Sequence, residues 1–576
     1  MANNIAIGIQ DFSKLREENR FYIDKTSFIK EWWESGDEVT LITRPRRFGK
    51  TLNVSMVEQF FSLEYANKGE VFEGLSIWEE EKYRDLQGTY PVISFSFARI
   101  KESTFELVQR RIIELLMSQF EKYTFLTESD KLSQNEKDYM CRMAKEMDAF
   151  EAGSSLYRLS EFLYRYYGKK VIILLDEYDT PMHEACVNGF WDDVVAFTRS
   201  LFNATFKTNP FMEKTLMTGI TVVGSQSMFS DFNNVEEVTT TSTKYATSFG
   251  FTEEEVFRAL DENGMGTEKE EVKKWYDGFT FGKHKDIYNP WSITHFLDKG
   301  EYDLYWANTS SNALVNKLIQ EGKQGVKQSM EQLLKGIPLK CCINKRIAYS
   351  DLDDNEEAIW SLLLASGYLK ISSSGNANED ADEIEITNLE VKFMFENMVK
   401  KWFAKEKDNY NDFIRAMFLG DIEAMNHYMN KLTLQMFSYF DTGKGVLGDE
   451  PERFYHGFVL GLLVDLNKEY VITSNRESGF GRYDVMIEPR DKDKSAVILE
   501  FKVFHPQKEA TLEDTVQAAL AQIEEKQYET ILLMKGIRKE NIQKYGFAFE
   551  GKNVLIGGDG NLSKTSKNAL EQLDLF

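Results

Sequence analysis

Four short stretches of this 576-residue chain carry side chains whose type and spacing could do chemistry. In LITRPRRFGKTLNVSM, Gly49, Lys50 and Thr51 fall where an apolar, β-branched run gives way to a helical pattern. A phosphate cradle needs backbone N–H groups at a helix N-terminus, a lysine that reaches the β- and γ-phosphates, and a hydroxyl for Mg²⁺. These three residues supply one of each. In VIILLDEYD an apolar strand ends in Asp176 and Glu177, a pair suited to holding Mg²⁺ through water and polarising an attacking water. Towards the C-terminal end, RYDVMI carries Asp484 and AVILEFKVF carries Glu500 and Lys502. Residues two apart on a strand share a face, so Glu500 and Lys502 point the same way, and Asp484 can join them from the neighbouring strand. Two carboxylates on adjacent strands suit Mg²⁺, a hard cation that prefers oxygen. A nearby lysine can position or activate water and steady the charge that develops around phosphorus.

Elements able to position these groups are legible on either side of them. From Val39 to Val223, the short runs VTLIT, YPVISFSF, VIILLDEYD and TLMTGITVV alternate with longer helical stretches, which reads as a parallel α/β sheet. ELVQRRIIELLMSQFEKY and SLYRLSEFLYRYYGKK supply crossover helices. Between about 251 and 345 the pattern turns helical, opening on FTEEEVFRAL with Thr252 and Glu255 at capping-box spacing, and reads as a lid or linker. From 355 to 402, helix EEAIWSLLLASG, a hairpin through GYLKISSSG and EIEITN, and helix EVKFMFENMVKKWF outline a winged-helix-like unit. Its wing carries Glu379, Asp380, Asp382 and Glu383, which repel phosphates, so a packing or regulatory role is favoured over DNA reading. The last stretch returns to α/β: a helix from Glu452, strands near YVITSN, RYDVMI and AVILEFK, a helix from Thr511, and strand TILLMKG. The helix from Thr511 puts Leu512, Val516, Leu520 and Ile523 on one apolar stripe and leaves Gln522 free to face the site. Glu452 could add a further ligand, whereas His456 reads as a satisfied helix histidine. The expected division is 1–250 for the nucleotide-binding sheet, 251–345 for the lid, 346–450 for the winged-helix-like connector and 451–576 for the second α/β domain.

Composition bounds these readings. With 42% hydrophobic and 28% charged residues and nine prolines, the chain has the make-up of a folded globular protein, and its length exceeds one core. No apolar run approaches the roughly 18 residues that span a bilayer, and the first residues lack a cationic segment followed by a long apolar one, so a cytoplasmic protein with no membrane partner is expected. Cys141, Cys186, Cys341 and Cys342 show no metal-ligand pairing and no disulfide density. A formal net charge of −24 argues against non-specific coating of nucleic acid but leaves room for a local basic cleft.

RPRRFGKT, with DFSKLREENRFYIDKTSFI before it and LLDEYDTP, FSDFNN, FGFTEEEV, WYDGF and IYNPWS after it, resembles the AAA-ATPase-like bacterial family over roughly the first half of the chain. The resemblance implies a P-loop NTPase fold with ATP and Mg²⁺ as cofactors. Arg44, Arg46, Arg47, Phe48, Gly49, Lys50, Thr51 and Asp176 would then surround the nucleotide, with Thr51 and Asp176 towards the metal and Glu177 as the catalytic base. Arg44 stands where the pattern GxxxxGK[ST] has its first glycine, a departure the family shares. After the fourth strand, relatives commonly show an arginine followed by a Lys-Glu pair, whereas Val222, Ser225 and Gln226 stand here, which bears on ATP turnover more than on binding. Thr218 or Thr221 could sense nucleotide from the sheet, or be core hydroxyls.

The C-terminal stretch ESGFGRYDVMIEPR with AVILEFKVF resembles the PD-(D/E)XK nuclease superfamily, over about the last 120 residues. Asp484, Glu500 and Lys502 match its catalytic positions and Gln522 its helical partner, with Asp484 and Glu500 as metal ligands in a restriction-endonuclease-like α/β domain. The combined expectation is an ATP-binding, ATP-hydrolysing protein coupled to a Mg²⁺-dependent nuclease acting on DNA, with RNA not excluded, in defence or mobile-element biology. A nucleotide-dependent switch or scaffold whose nuclease-fold domain binds without cutting is the alternative, and a homo-oligomer stays open.

Overall fold

The computed structural model describes residues 4–222, 234–307, 313–321, 324–334, 336–344, 352, 355–373, 381–404, 407–436, 466, 469–478, 481–506, 509–550 and 553–558. Ser225, Gln226, Glu379, Asp380, Glu452, His456 and the helix expected from Glu452 lie outside the described residues. The chain forms two compact units, Met1–Gly322 with Gln332–Met394 and Lys323–Glu331 with Phe395–Phe576.

Strand formation in the first unit follows the apolar runs. Val39–Thr43 (β1), Val92–Ser96 (β2), Val171–Asp176 (β3), Met212–Gly219 (β4) and Val235–Val238 (β5) make one parallel sheet in the order β2-β3-β4-β1-β5. Every residue of β1 and β3 is buried. Helices cover both faces of such a sheet, so its strands read as continuous apolar runs rather than alternating ones. The helices Phe105–Lys122 and Ala149–Tyr167 lie where their periodicity predicts, the second opened by an Asp148–Glu151 capping box and closed by Gly168 at φ 71. β4 lies between β1 and β3, with Thr43 in register with Gly219 and Leu175 with Met217, so the C-terminal ends of the three strands come side by side.

The stretch expected to be wholly helical is mixed. Helices Glu253–Glu262, Lys269–Tyr276 and Pro290–Lys299 share it with a small antiparallel sheet of Phe251–Thr252 (β6), Phe279–Phe281 (β7) and His284–Tyr288 (β8), in the order β6-β8-β7. Strands this short offer too few residues for a period-2 pattern, which is why the sequence hides them. Thr252 and Glu255 do form the expected capping box. The winged-helix-like outline is present as the helix Glu356–Ala365, Leu369–Ser373 (β10), Asp382–Ile386 (β11) and the helix Leu389–Ala404. Leu339–Cys341 (β9) adds a third strand in the order β10-β11-β9.

The second unit holds Tyr470–Ser478 (β12), Gly481–Pro489 (β13), Ala496–Val503 (β14), Ile542–Glu550 (β15) and Asn553–Gly558 (β16), paired in that order. Only β14 and β15 are parallel, and the helix Leu512–Glu525 makes the crossover between them. Gly546 on β15 permits its close approach, since a Cβ there would sit 2.8 Å from the Val516 carbonyl oxygen. Both faces of the sheet are apolar. Val485, Ile487, Val497, Leu499 and Phe501 pack with Phe413, Met417, Met425 and Met429 from the helices Lys407–Leu419 and Ile422–Met436. Met486, Ile498 and Ala496 pack on the other face with Ile523, Tyr528 and Leu532. TILLMKG, expected as a strand, contains instead the helix Thr530–Met534, in which Leu532 is buried while Leu533 and Met534 are exposed. A short apolar run does not distinguish strand from helix by itself, and the place beside β14 is taken by β15.

Candidate functional site

The turn from β1 into the helix Lys50–Phe61 forms the segment read from the sequence as a phosphate loop. Gly49, at φ 79, occupies the left-handed region that glycine enters without steric cost, directly before the helix. Lys50 Nζ donates to the carbonyls of Arg44 and Pro45, each at 2.8 Å. Burial lowers its pKa, opposed by the charges of Glu177, Asp179 and Asp176. An ammonium seated on carbonyls of its own loop can exchange them for phosphate oxygens. Thr51 Oγ1 donates to Asp176 Oδ2 at 2.9 Å, and Thr218 Oγ1 donates to Asp176 Oδ1 at 2.6 Å. Residues from the helix after β1, from β3 and from β4 thus meet at one carboxylate. A hydroxyl beside a carboxylate is a hard-oxygen pair that fits Mg²⁺.

The five residues ahead of Gly49 are engaged elsewhere. The buried Arg44 guanidinium donates to the carbonyls of Thr43, Thr239 and Lys244 and lies 4.4 Å over the Phe281 ring. In this structure it braces the turn after β5, where the sequence reading had it facing the nucleotide. Carbonyls satisfy donors that burial would otherwise leave costly. Phe48, also assigned to the nucleotide, has its ring buried against Phe279 and Phe281, with centroids 4.8 and 5.4 Å away. Arg47, at φ 64, is exposed and stacks 4.3 Å over Trp291. The Arg46 carbonyl accepts from Trp306 Nε1 at 3.0 Å and from Asn289 Nδ2 at 3.3 Å. At Gly367, φ 84, a Cβ would lie 2.8 Å from Pro45 Cγ.

Glu177 follows Asp176 at φ 51, with its N–H on Thr218 Oγ1 at 3.3 Å and its carboxylate accepting from Thr180 Oγ1 at 3.2 Å. Burial raises its pKa against the pull of Lys50, the direction that helps a carboxylate act as a base towards water. The rest of DEYD grips the chain leaving β4, a role the sequence reading missed. Tyr178 donates to the Thr221 carbonyl at 2.7 Å, and the buried Asp179 accepts the N–H groups of Ile220 and Thr221 at 2.8 and 2.9 Å. Its signal was the second aspartate, three residues after the first. Val222, at the next position, is buried.

In the second unit, β13 and β14 pair with Val485 opposite Leu499. Continuing that antiparallel register sets Asp484 opposite Glu500. Asp484 Oδ2 accepts the Phe501 N–H at 2.8 Å. Lys502 Nζ donates to Gln522 Oε1 at 2.7 Å, and Gln522 Nε2 donates to Glu500 Oε1 and, at 3.1 Å, to the Tyr528 hydroxyl. The alternation of β14 puts Ile498, Glu500 and Lys502 on the face covered by the helix Leu512–Glu525, and this brings Gln522 to them. All four expected residues therefore meet. The two carboxylates form an oxygen set that fits a divalent cation, with the ammonium held beside them. Tyr528, buried and with its phenol pKa raised by burial, joins the group without having been singled out. It lies beyond the helix's last turn, where helical spacing no longer points to it.

A parallel sheet with a phosphate loop on one strand and an acidic end on another defines a P-loop nucleotide-binding fold, and the mixed sheet with its Asp, Glu, Lys and Gln defines a nuclease-type fold. Residues 6–229 match the family described as predicted AAA-ATPase, AAA-ATPase-like, and residues 450–558 match the PD-(D/E)XK nuclease superfamily. The chain thus carries an AAA-ATPase-like domain and, C-terminal to it, a PD-(D/E)XK nuclease superfamily domain. It is similar to a protein of Azotobacter chroococcum mcd 1 described as an uncharacterized protein in the vnfD 5' region. The two are 24% identical over 391 residues, 67% of this chain and 68% of that one. Among the described residues no helix is long and apolar enough to cross a membrane.

Proposed function

We propose that this protein binds and hydrolyses ATP at Lys50, Thr51, Asp176 and Glu177, and that nucleotide occupancy gates a Mg²⁺-dependent nuclease domain acting on DNA. The observation that carries the reading is the meeting of Asp484, Glu500, Lys502 and Gln522 around one point of the second sheet, in a chain whose first sheet sets Thr51 against Asp176. Bound there, Mg²⁺ would supply Lewis acidity towards phosphate oxygens and lower the pKa of water. The protein's own part follows from its geometry. Asp484 and Glu500 hold the cation, Gln522 keeps Lys502 beside them, and the Lys502 ammonium steadies negative charge on the phosphate. In the first unit Lys50 neutralises the phosphates and Glu177 orients the attacking water. A role in defence or mobile-element biology rests on analogy with other ATPase and nuclease fusions.

The second reading is a nucleotide switch or scaffold that binds nucleic acid or protein without cutting. The buried, apolar Val222, where relatives carry a polar residue, favours it. Cleavage of linear, circular and single-stranded DNA and of RNA, with Mg²⁺ or Mn²⁺ and with or without ATP, separates the two. Metal-dependent cutting by the native chain that disappears in Asp484→Ala supports the nuclease. Confirmed ATP binding with no cutting of any substrate moves the assignment to the switch.

A further inference from the structure

The phosphate loop contains one glycine where its pattern has two, and five consecutive non-glycine residues must take up a shape that exposes backbone N–H groups. Lys50 draws the Arg44 and Pro45 carbonyls to its own side of the loop. The next carbonyl, that of Arg46, is taken by two side-chain donors lying more than 240 residues further along, Asn289 Nδ2 and Trp306 Nε1. A trans peptide sets its C=O and the following N–H in opposite directions, and there are no cis peptides among the described residues. Fixing the Arg46 oxygen therefore fixes the direction of the Arg47 N–H.

Both donors are themselves held. Asn289 is fully buried, and its Oδ1 caps the helix Pro290–Lys299 by accepting the N–H groups of Trp291 and Ser292 at 2.9 and 3.4 Å. Trp306, 3% exposed, packs edge-on against Phe279, 5.7 Å between centroids, and at a tilt of 35° against Tyr368, 5.3 Å between centroids. Its backbone N–H and the Ser292 hydroxyl both donate to the buried Glu390 carboxylate. The two donors thus share the Arg46 carbonyl on one side, and on the other Trp306 reaches Glu390 directly and Asn289 reaches it through Ser292.

We propose that Trp306 and Asn289 are positioning residues of the nucleotide site, which hold the Arg46 carbonyl so that the Arg47 N–H is presented to a nucleotide phosphate. The inference rests on the phosphate-loop assignment above, and it makes phosphate affinity depend on the segment from Asn289 to Trp306. Trp306→Phe keeps an aromatic ring on Phe279 and Tyr368 but removes the N–H. Asn289→Asp keeps the cap oxygen and removes the other donor.

The full-length chain and each variant are titrated with Mg·ADP and Mg·ATP by calorimetry, and the melting temperature without nucleotide is recorded. The expected result is a Kd raised about 5-fold in Trp306→Phe, the scale of one neutral hydrogen bond, and raised at least as much in Asn289→Asp. The nucleotide-free melting temperature of Trp306→Phe should stay close to native. Because both donors serve one oxygen, the double variant should lose less affinity than the product of the single losses. Native Kd values in both variants, or losses confined to melting temperature, overturn the inference alone. No nucleotide binding by the unaltered chain, or undiminished binding by Lys50→Ala, overturns the phosphate-loop assignment and the inference with it.

Discussion

Replacing Glu390 with glutamine should change how stability depends on pH, by an amount the structure sets. Glu390 is 1% exposed, and its Oε1 accepts the N–H groups of Trp306 and Ala307 at 2.5 and 3.2 Å, its Oε2 the Ser292 hydroxyl at 2.8 Å. Burial outweighs those three bonds and pushes its pKa up from 4.5 to about 7. The unfolded chain ionises this group near pH 4.5, while the folded chain keeps the proton until about pH 7. Its contribution is therefore fully present below pH 4.5 and is lost as pH rises to about 7. A gap of that size is worth about 3 kcal/mol at 1.36 kcal/mol per pH unit. Glutamine stays neutral throughout; its carbonyl can keep both N–H groups and its amide can donate to the Ser292 oxygen. Asp277, which burial also raises to about 7, titrates in both proteins, so the difference between them isolates Glu390. Hydrogen exchange of the peptide containing Trp306 and Ala307, measured on the full-length native and Glu390→Gln chains from pH 5 to 8 after correction for intrinsic rates, reads that difference. Relative to native, the variant should gain protection progressively from pH 5 to about 7 and hold a constant advantage from there to pH 8. Parallel profiles across the range would refute the reasoning.

Lys50→Ala should remove the melting shift produced by Mg·ATP, since it deletes the charge proposed to bind the phosphates; an undiminished shift would contradict the loop assignment. Glu177→Gln should retain bound ATP and slow its hydrolysis by about 100-fold or more, the scale of a general base, in a single-turnover phosphate-release assay. Gly367→Ala introduces a Cβ 2.8 Å from Pro45 Cγ at φ 84, and should lower the stability of the nucleotide-free chain by about 1–3 kcal/mol, read by urea unfolding. Tyr528→Phe, which removes the 3.1 Å partner of Gln522 Nε2, should weaken metal-dependent cleavage while leaving the melting temperature within a few degrees of native.

What could be read in advance follows the range of the forces involved. β1 to β4 and the crossover helices announce themselves because burial on both faces leaves apolar runs and helical periods. The Asp484, Glu500 and Lys502 group was legible because strand alternation is local and the upstream aspartate lay one strand away. β5, VEEV, was hidden because two of its four residues are charged, and β9 because it has three residues. TILLMKG misled because its apolar run suits either conformation, and the place beside β14 goes to the later segment that starts at Ile542. The engagement of Arg44 and Phe48 depends on residues near 240 and 280, which no local pattern around RPRRFGK reveals.

Five successive loop residues are each held by residues far along the chain: Phe281 and the Thr239 and Lys244 carbonyls for Arg44, Gly367 for Pro45, Trp306 and Asn289 for Arg46, Trp291 for Arg47, and Phe279 with Phe281 for Phe48. A glycine-rich loop can be inherited as a free-standing cassette, grafted onto new neighbours by recombination, because it asks nothing of them. This loop cannot. Gene fusions that replace the chain beyond the parallel sheet would strand RPRRF without its counterparts, so descent should keep the loop and its counterparts up to Gly367 on one inherited piece of chain and allow change to accumulate by paired substitution among them.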